Sequence, residues 1–242
     1  MRGFIPFLFL AVTVLCQAQN NGNYIHNLYS LERMGGNLGQ TNSVPTIAGP
    51  PGGIKGDVYL NKTFNKVVFQ LFDADKIVEG VAKLDLKQNE FDLITPQGVR
   101  VLKGNLVKSF VSIDSLTHFQ SNFVNAREWT YDSNTPIEGF YEILAEGNLT
   151  LLKRSEIIVK QPDYHPALNV GSKDVRLVKN EKFYYLVNGK VFDIPGKRNF
   201  AKIFTGKEKQ VQSYMIEKDL SISKQRDLIQ VFSYYNQQTQ QN

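Results

Sequence analysis

The dipeptide Asn188-Gly189 restricts the fold of this chain more than any other feature of the sequence. It lies between two short runs rich in aromatic and β-branched residues. Asn-Gly readily adopts positive φ at both central positions of a type I′ turn, which is the turn that joins two antiparallel strands. The sequence therefore predicts a β-hairpin over residues 183–194. A similar pattern, with Gly147-Asn148 at its turn, predicts another hairpin over residues 141–152.

Alternating apolar and polar residues extend this prediction through the first half of the chain. Between residues 57 and 111 apolar side chains recur at every second position, as at Val99 and Val101, and turn signals such as Gln88-Asn89 separate the runs. This two-residue period predicts an antiparallel meander in which one face of each strand is apolar and the other is exposed to solvent. The spacing of a strand–helix–strand unit is missing, so we do not expect a parallel sheet with a nucleotide crevice.

Residues 112–139 form a bridging segment that completes the predicted meander region, 57–139. The segment contains Phe119, Phe123 and Trp129 among polar residues. These aromatic side chains could form an exposed contact surface. Burial against the sheet is favoured, because aromatic side chains usually find an apolar environment.

The period changes after Ile194, where helical spacing replaces strand alternation. Thr205-Gly-Lys-Glu208 has the form of a capping box, and Ser223 can cap a second helix with an apolar stripe. We predict helices within residues 195–236 and a polar, frayed tail at 237–242. The expected fold class is α+β: a predominantly antiparallel β meander with hairpins over 57–194 and a short helical C-terminal end.

The first 18 residues have the pattern of a secretory signal peptide. Arg2 precedes a short apolar run, and small residues precede a cut after Ala18. The alternative is a lipoprotein signal with Cys16 acylated, but Leu15 argues against it because that processing needs a small residue before the cysteine. Cys16 is the only cysteine, so the predicted mature chain has no disulfide and no thiol nucleophile. We expect export to the periplasm, the outer membrane surface or the medium.

The segment at 19–56 is rich in Asn, Gly and Pro, and this composition predicts a flexible leader. No later run of apolar residues is long enough to cross a membrane as a helix. The sequence is still compatible with contact between the folded chain and a membrane surface. The charge is divided unevenly: residues 153–242 contain 16 basic and 9 acidic side chains, against 11 and 14 in residues 19–152. The basic second half could face lipid phosphates, anionic glycans or an acidic partner, or simply be a solvated surface. The basic residues considered for such a patch are Lys153, Arg154, Lys197, Arg198 and Lys202.

The long loop at 161–174, between the two predicted hairpins, is the surface that we expect to bind a ligand. It contains two prolines and a glycine, and long ordered loops within compact domains are often functional. The candidate ligand-binding residues are Asp163, Tyr164, His165, Asn169, Lys173 and Asp174.

The same loop carries a resemblance to a known family. Lys-Gln-Pro-Asp-Tyr-His-Pro-Ala-Leu-Asn-Val-Gly-Ser-Lys-Asp, at residues 160–174, is followed by Tyr-Tyr-Leu-Val-Asn-Gly-Lys and then by a helical tail. This order resembles that of a family of exported, β-rich Gram-negative bacterial proteins of unknown function. The resemblance covers roughly residues 56–236. It implies a β-rich body with a helical end, and it brings no activity, ligand or site residue.

Motifs that would indicate enzymatic chemistry are incomplete. Asp73-Ala-Asp75 begins like a calcium loop, but Ile77 stands where the next oxygen ligand belongs. The Gly-Lys pairs lack the rest of a phosphate-binding loop, and no nucleic-acid-binding signature is present. We therefore expect no cofactor, no metal and no nucleic acid partner. Asp163, His165 and Asp174 could still converge in an unfamiliar hydrolase site.

The function expected from the sequence is that of an exported, non-enzymatic binding or envelope-associated module. Its partner would be an unidentified envelope component or protein. The alternatives are the hydrolase just described and a structural subunit of an envelope complex, which an exposed apolar patch or an open sheet edge would indicate.

Overall fold

The computed structural model describes residues 52–73, 76–131, 134–165 and 167–240. The predicted signal peptide and residues 19–51 of the predicted leader lie outside this part of the chain. The end of the predicted leader is ordered: Ile54 and Lys55 form a short strand that pairs with Val175 and Arg176. Among the described residues, no helix is long and apolar enough to span a membrane.

One large sheet contains every strand of the described chain, which confirms the predicted β-rich α+β class. It is 12-stranded, in the order β5-β4-β3-β2-β6-β7-β9-β10-β11-β12-β8, with β1 paired to β11. The pairs are antiparallel except for β1 with β11 and β12 with β8. The strands are β1 (Ile54–Lys55), β2 (Asn65–Leu71), β3 (Ile77–Asp85), β4 (Glu90–Thr95), β5 (Gly98–Lys103), β6 (Val107–Ile113), β7 (Gln120–Asn125), β8 (Thr130–Tyr131), β9 (Phe140–Ala145), β10 (Thr150–Lys160), β11 (Val175–Val187) and β12 (Lys190–Asp193).

Both predicted hairpins are present, and they share one sheet with the first meander. Val187 pairs with Lys190, so Asn188 and Gly189 form a two-residue turn, with φ of 51° and 73°. These are the positive angles that a type I′ turn requires. Strands β9 and β10 form the other hairpin, and β10 pairs with β11 from Thr150 to Lys160. The two hairpins are therefore consecutive parts of one antiparallel run.

Aromatic side chains fill the inner face of the first half of the sheet. The centroids of Phe91 on β4 and Phe140 on β9 are 5.4 Å apart. Four strands separate β4 from β9 in the sheet order, so this contact requires the sheet to curl strongly. Phe69, Phe110 and Phe123 complete the aromatic part of this first core. Phe123, from the bridging segment, is thus buried as expected, whereas Phe119 is exposed.

Two helices cover the same face at its other end. They are α1 (Glu208–Glu217) and α2 (Gln225–Gln240), and three short 3₁₀ helices lie at Gly104–Leu106, Ala126–Glu128 and Phe200–Ile203. Phe204, Val211 and Phe232 pack with Leu151 of β10 to form a second core. Helical backbone continues to Gln240, so the predicted frayed tail belongs largely to α2.

A buried asparagine attaches α2 to the β9–β10 turn. The Asn236 side-chain oxygen accepts from the Leu149 amide at 3.1 Å. Its nitrogen donates to the carbonyls of Leu149 at 2.9 Å and Glu146 at 3.2 Å. The helix thus supplies hydrogen-bond partners to the buried backbone of Leu149 and to the Glu146 carbonyl.

The predicted helix caps do not form as expected. Glu208 is the first residue of α1 rather than the third, so its carboxylate cannot reach back to Thr205 as a capping box requires. It accepts instead from the Gly206 amide at 3.0 Å. In the first turn of α2, the Asp227 carboxylate accepts from the Ser221 amide at 2.9 Å.

The apolar alternation of β5 predicts the wrong face of this strand as the buried one. Val99 and Val101 are 62% and 60% exposed, and Leu102 packs against the first core instead. The reason is the register of the β4–β5 hairpin: Leu102 lies opposite the buried Phe91, so Val99 and Val101 point to the outer face of the sheet.

Candidate ligand-binding cleft

A charged pair interrupts the apolar inner face between the two cores. In the strand register, Phe123 of β7 lies opposite Glu142 of β9, Glu142 opposite Lys153 of β10, and Lys153 opposite Phe183 of β11. Residues directly opposite one another in antiparallel strands point to the same face. Phe123 belongs to the first core and Phe183 packs against the second. Glu142 and Lys153 therefore form a polar seam between the two cores.

The pair is short and largely removed from solvent. Lys153 Nζ lies 2.6 Å from a Glu142 carboxylate oxygen, and the two side chains are 13% and 10% exposed. Lys153 Nζ also donates to Gln225 Oε1 at 3.4 Å. Gln225 is the first residue of α2, so the start of this helix lies against the ion pair.

The pair lines a cleft of about 290 Å³. Most of the other lining side chains carry hydroxyl, amide or charged groups, and two are phenylalanines. The lining residues that matter for its chemistry are Asn61, Asn65, Ser112, Thr117, Phe119, Ser121, Phe123, Lys179, Glu181 and Gln225.

Asn65 holds one wall of the cleft in place. It is fully buried at the start of β2. Its side-chain oxygen accepts from the Ser115 amide at 3.4 Å, and its nitrogen donates to the Ser112 hydroxyl at 3.5 Å. The β6–β7 turn is therefore fixed to the neighbouring strand.

Asp114 fixes the conformation of the same turn. Its carboxylate accepts from the amides of Leu116 and Thr117 and from the Thr117 hydroxyl, at 3.0, 2.7 and 2.9 Å. These hydrogen bonds, first among them the one from the Thr117 amide, lower the pKa of Asp114. The turn presents Phe119, which is 68% exposed, at the cleft.

The loop predicted to bind a ligand, 161–174, folds as a small hairpin-like tip between β10 and β11. His165 forms an antiparallel bridge with Val170, and the Asp163 carboxylate accepts from the Ser172 amide at 2.6 Å. The Tyr164 hydroxyl donates to the Asn169 side chain at 2.9 Å, and Lys173 Nζ lies 4.4 Å from the Tyr164 ring centroid. The polar groups of this tip largely satisfy one another.

Asp174 anchors strand β1 rather than facing Asp163. Its carboxylate contacts Lys55 Nζ at 2.5 Å and accepts from the Gly53 amide at 2.8 Å. The hydrogen bond with Lys55 and the one from Gly53 lower the pKa of Asp174. Tyr164, Asn169, Lys173 and Asp174 line an open surface depression together with Lys55.

The proposed hydrolase residues are thus engaged in separate interactions. Asp163 is bound to the Ser172 amide and lies 3.7 Å from Arg176, whereas Asp174 is bound to Lys55. Within the described ranges, no group of three or more His, Cys, Asp or Glu side chains could hold a metal ion.

The five basic residues considered for a patch do not form one surface. Lys153 and Arg154 are neighbours on β10, and successive strand residues point to opposite faces. Lys153 lies in the cleft with Glu142, whereas Arg154 Nη1 donates to the hydroxyls of Tyr131 at 2.7 Å and Tyr141 at 3.2 Å on the other face. The remaining three, Lys197, Arg198 and Lys202, are exposed around the 3₁₀ helix at Phe200–Ile203.

Arg154 belongs to a structural cluster on the outer face. It lies 5.4 Å from the Tyr141 ring centroid, and Tyr141 packs edge-on against Tyr184 and Trp129. Burial raises the pKa of Tyr141, with a further contribution from the hydrogen bond to Tyr131. The hydroxyls of Tyr131 and Tyr141 are both hydrogen-bonded within this cluster. The cluster therefore stabilises the hydrophobic core that contains Tyr141 and Tyr184 on the outer face of the sheet.

Glu142 is the site residue that the sequence interpretation missed, although a signal for it exists. It stands in an apolar strand between Phe140 and Leu144. A two-residue turn at Gly147-Asn148 would place Glu142 opposite Lys153. The observed connection is longer, with Ala145 opposite Leu151, but a register shift between Leu151 and Leu152 brings Glu142 opposite Lys153 all the same. A charged residue at an inward position, opposite a residue of the other charge, is the pattern that identifies this pair.

No protein-family model matches this chain, and comparisons with curated proteins and with solved structures found no significant match.

Proposed function

We propose that this protein is an exported, non-enzymatic binding protein that holds a small polar ligand in the cleft around Glu142 and Lys153. The observation that carries the proposal is the position of this ion pair at the wall of a cleft, between two apolar cores. Two charges buried in such a place are often less favourable than two apolar side chains of similar size. Their availability to a ligand gives a reason for the arrangement. The signal-peptide pattern of residues 1–18 supports export.

The surroundings of the pair support ligand binding. Ligand sites are typically concave, with a few fixed polar groups that orient the ligand. Asn65 and Asp114 hold the wall through hydrogen bonds to neighbouring turn residues. Gln225 at the start of α2 contributes an amide next to Lys153. A preformed site of this kind loses little conformational entropy when it binds.

Binding is favoured over catalysis because the reactive groups in the cleft neutralise each other. A nucleophile or general base needs an adjacent group that activates it. Glu142 and Lys153 form an ion pair at 2.6 Å, and the cleft-lining hydroxyls of Ser112 and Ser121 are not accompanied by a histidine among the described lining residues.

The cleft is also a better candidate than the tip at 161–174. Groups that recognise a ligand need unused hydrogen-bonding capacity. At the tip, Asp163 and Tyr164 already bond within the tip, and Asp174 bonds to Gly53 and to Lys55 of strand β1. The cleft offers buried charges and several hydroxyl and amide groups around one space.

The proposal can be tested by nuclear magnetic resonance. The ¹⁵N-labelled protein is titrated with a panel of neutral sugars, amino acids, nucleosides and small carboxylates at millimolar concentration. We expect at least one compound to shift the amide resonances of residues 112, 121, 142 and 153 in a saturable way. The Gln225→Ala variant should weaken that binding, because it removes the amide next to Lys153.

Gln237→Ala is the matched control. Gln237 lies on the same helix but is exposed and does not line the cleft. It should bind like the parent protein. A panel in which no compound shifts the cleft resonances, or in which Gln225→Ala and Gln237→Ala bind equally well, would refute the proposal.

A further inference from the structure

We infer that the ligand of this cleft is an uncharged, hydroxyl-rich molecule of the saccharide class. The inference rests on the proposed function and adds the chemistry of the ligand. Three independent features of the cleft support it: the balance of its charges, the types of its hydrogen-bonding groups, and one exposed aromatic ring.

The charges of the cleft disfavour an anionic ligand. Its two lysines are both engaged: Lys153 pairs with Glu142 at 2.6 Å, and Lys179 Nζ donates to the Leu60 carbonyl at 2.6 Å. Glu142, Glu181 and Asp114 also line the cleft, so acids outnumber bases. A phosphate or carboxylate would meet no excess of positive charge, and it would have to displace Glu142 from Lys153.

A cationic ligand is disfavoured for a different reason. The Asp114 carboxylate is occupied by three hydrogen bonds from its own turn, and Glu142 is neutralised by Lys153. Glu181 is exposed, and an exposed carboxylate gives an ion pair little energy. The site therefore lacks a buried, unneutralised carboxylate for an ammonium group among its described residues.

The polar groups are of the kinds that recognise hydroxyls. A sugar hydroxyl donates one hydrogen bond and accepts others, so it matches a lining that mixes acceptors and donors. Glu142 supplies acceptor oxygens and Lys153 supplies donors. Ser112, Ser121 and Gln225, which line the same cleft, can act in both ways.

The aromatic ring is placed for the apolar face of a sugar. Phe119 is 68% exposed, lines the cleft and follows a turn fixed by Asp114. An exposed ring of this size, held by a rigid turn, offers a flat apolar surface at low entropic cost. The ring carbons of a saccharide can cover Phe119 while the hydroxyls reach the polar wall.

Ring-matched probes test the charge preference. Glucose, glucuronate and glucosamine share one ring and differ in charge, and cellobiose and maltose extend the neutral series. We expect the resonances of residues 142 and 153 to shift with the neutral sugars, and each charged probe to bind at least about threefold more weakly than glucose. Tighter binding of glucuronate or glucosamine would overturn the inference.

A pair of substitutions on one turn tests the aromatic contact. Phe119→Ala should weaken binding of the best neutral sugar by roughly three- to tenfold, the range expected for one aromatic contact. Leu116→Ala is the matched control, since Leu116 is 81% exposed on the same turn and does not line the cleft. Equal affinity of the two variants would contradict the stacking role of Phe119.

The two proposals fail in different ways. If an amino acid, nucleoside or carboxylate binds the cleft and the sugars do not, the saccharide inference is wrong and the binding function stands. If none of the compounds shifts the cleft resonances, both are wrong.

Discussion

At the scale of single residues, Tyr59 links proton binding to stability. Its hydroxyl donates to Asp92 at 2.8 Å. This hydrogen bond, together with burial and the nearby charges of Asp92, Asp85 and Asp57, raises the pKa of Tyr59 to about 12 from an ordinary value of 10.0. The folded protein therefore holds this proton more tightly than the unfolded chain does. The resulting stability is complete below pH 10 and is lost as the pH rises from 10 towards 12.

The Tyr59→Phe variant tests this linkage. At pH 8 we expect it to lower the free energy of unfolding by about 1 kcal/mol, the usual net value of one hydrogen bond. The difference from the parent protein should shrink between pH 10 and 11.5, because the parent loses the contribution that the variant never had. Urea unfolding at a series of pH values measures both quantities. A difference that stays constant across this range would contradict the assignment.

At the scale of secondary-structure elements, the β11–β12 hairpin shows what a local sequence can specify. Asn188 and Gly189 determine the turn by their own backbone preferences, and the flanking strands pair in the register that the turn imposes. This part of the fold was predictable, because every determinant lies within a few residues.

Elements whose position depends on distant parts of the chain were predicted less well. Val99 and Val101 alternate like core residues, yet they face solvent because the covered face of β5 is the one that carries Leu102 opposite Phe91. Thr205 and Glu208 have capping-box spacing, but α1 begins at Glu208. Neither the choice of the covered face nor the packing of α1 can be read from a short window of sequence. The cleft escaped prediction for the same reason, since β2, β6, β7, β9, β10 and α2 all contribute to it.

The Gly189→Ala variant tests the contribution of the hairpin turn. Gly189 has a φ of 73°, and an added Cβ would meet nothing within 4 Å. Any cost is therefore conformational, and we expect about 1 kcal/mol of destabilisation in urea unfolding. Gly196→Ala is the matched control: its site is equally open and lacks a positive φ. This control should be neutral or slightly stabilising, and equal losses in the two variants would refute the explanation.

At the scale of the whole molecule, the polar seam separates two hydrophobic cores on one face of a continuous sheet. The first core lies within the curled strands, and the second lies under the helices. An apolar pair in place of Glu142 and Lys153 would join the two cores through Phe123 and Phe183. If the protein were selected for stability alone, such a pair would serve at least as well. The seam is therefore where function and stability are expected to conflict.

The double variant Glu142→Leu/Lys153→Met separates these two requirements. Lys153→Met alone leaves Glu142 largely buried without its cation, and we expect a loss of about 3 kcal/mol in the free energy of unfolding. The double variant removes both charges and should recover most of that loss, while binding of whichever panel compound occupies the cleft disappears. Urea unfolding and resonance titration of the parent, the single variant and the double variant measure the two effects. A double variant that still binds would refute the ligand role of the pair. A double variant as unstable as Lys153→Met would show that the pair itself is needed for the stability of the seam.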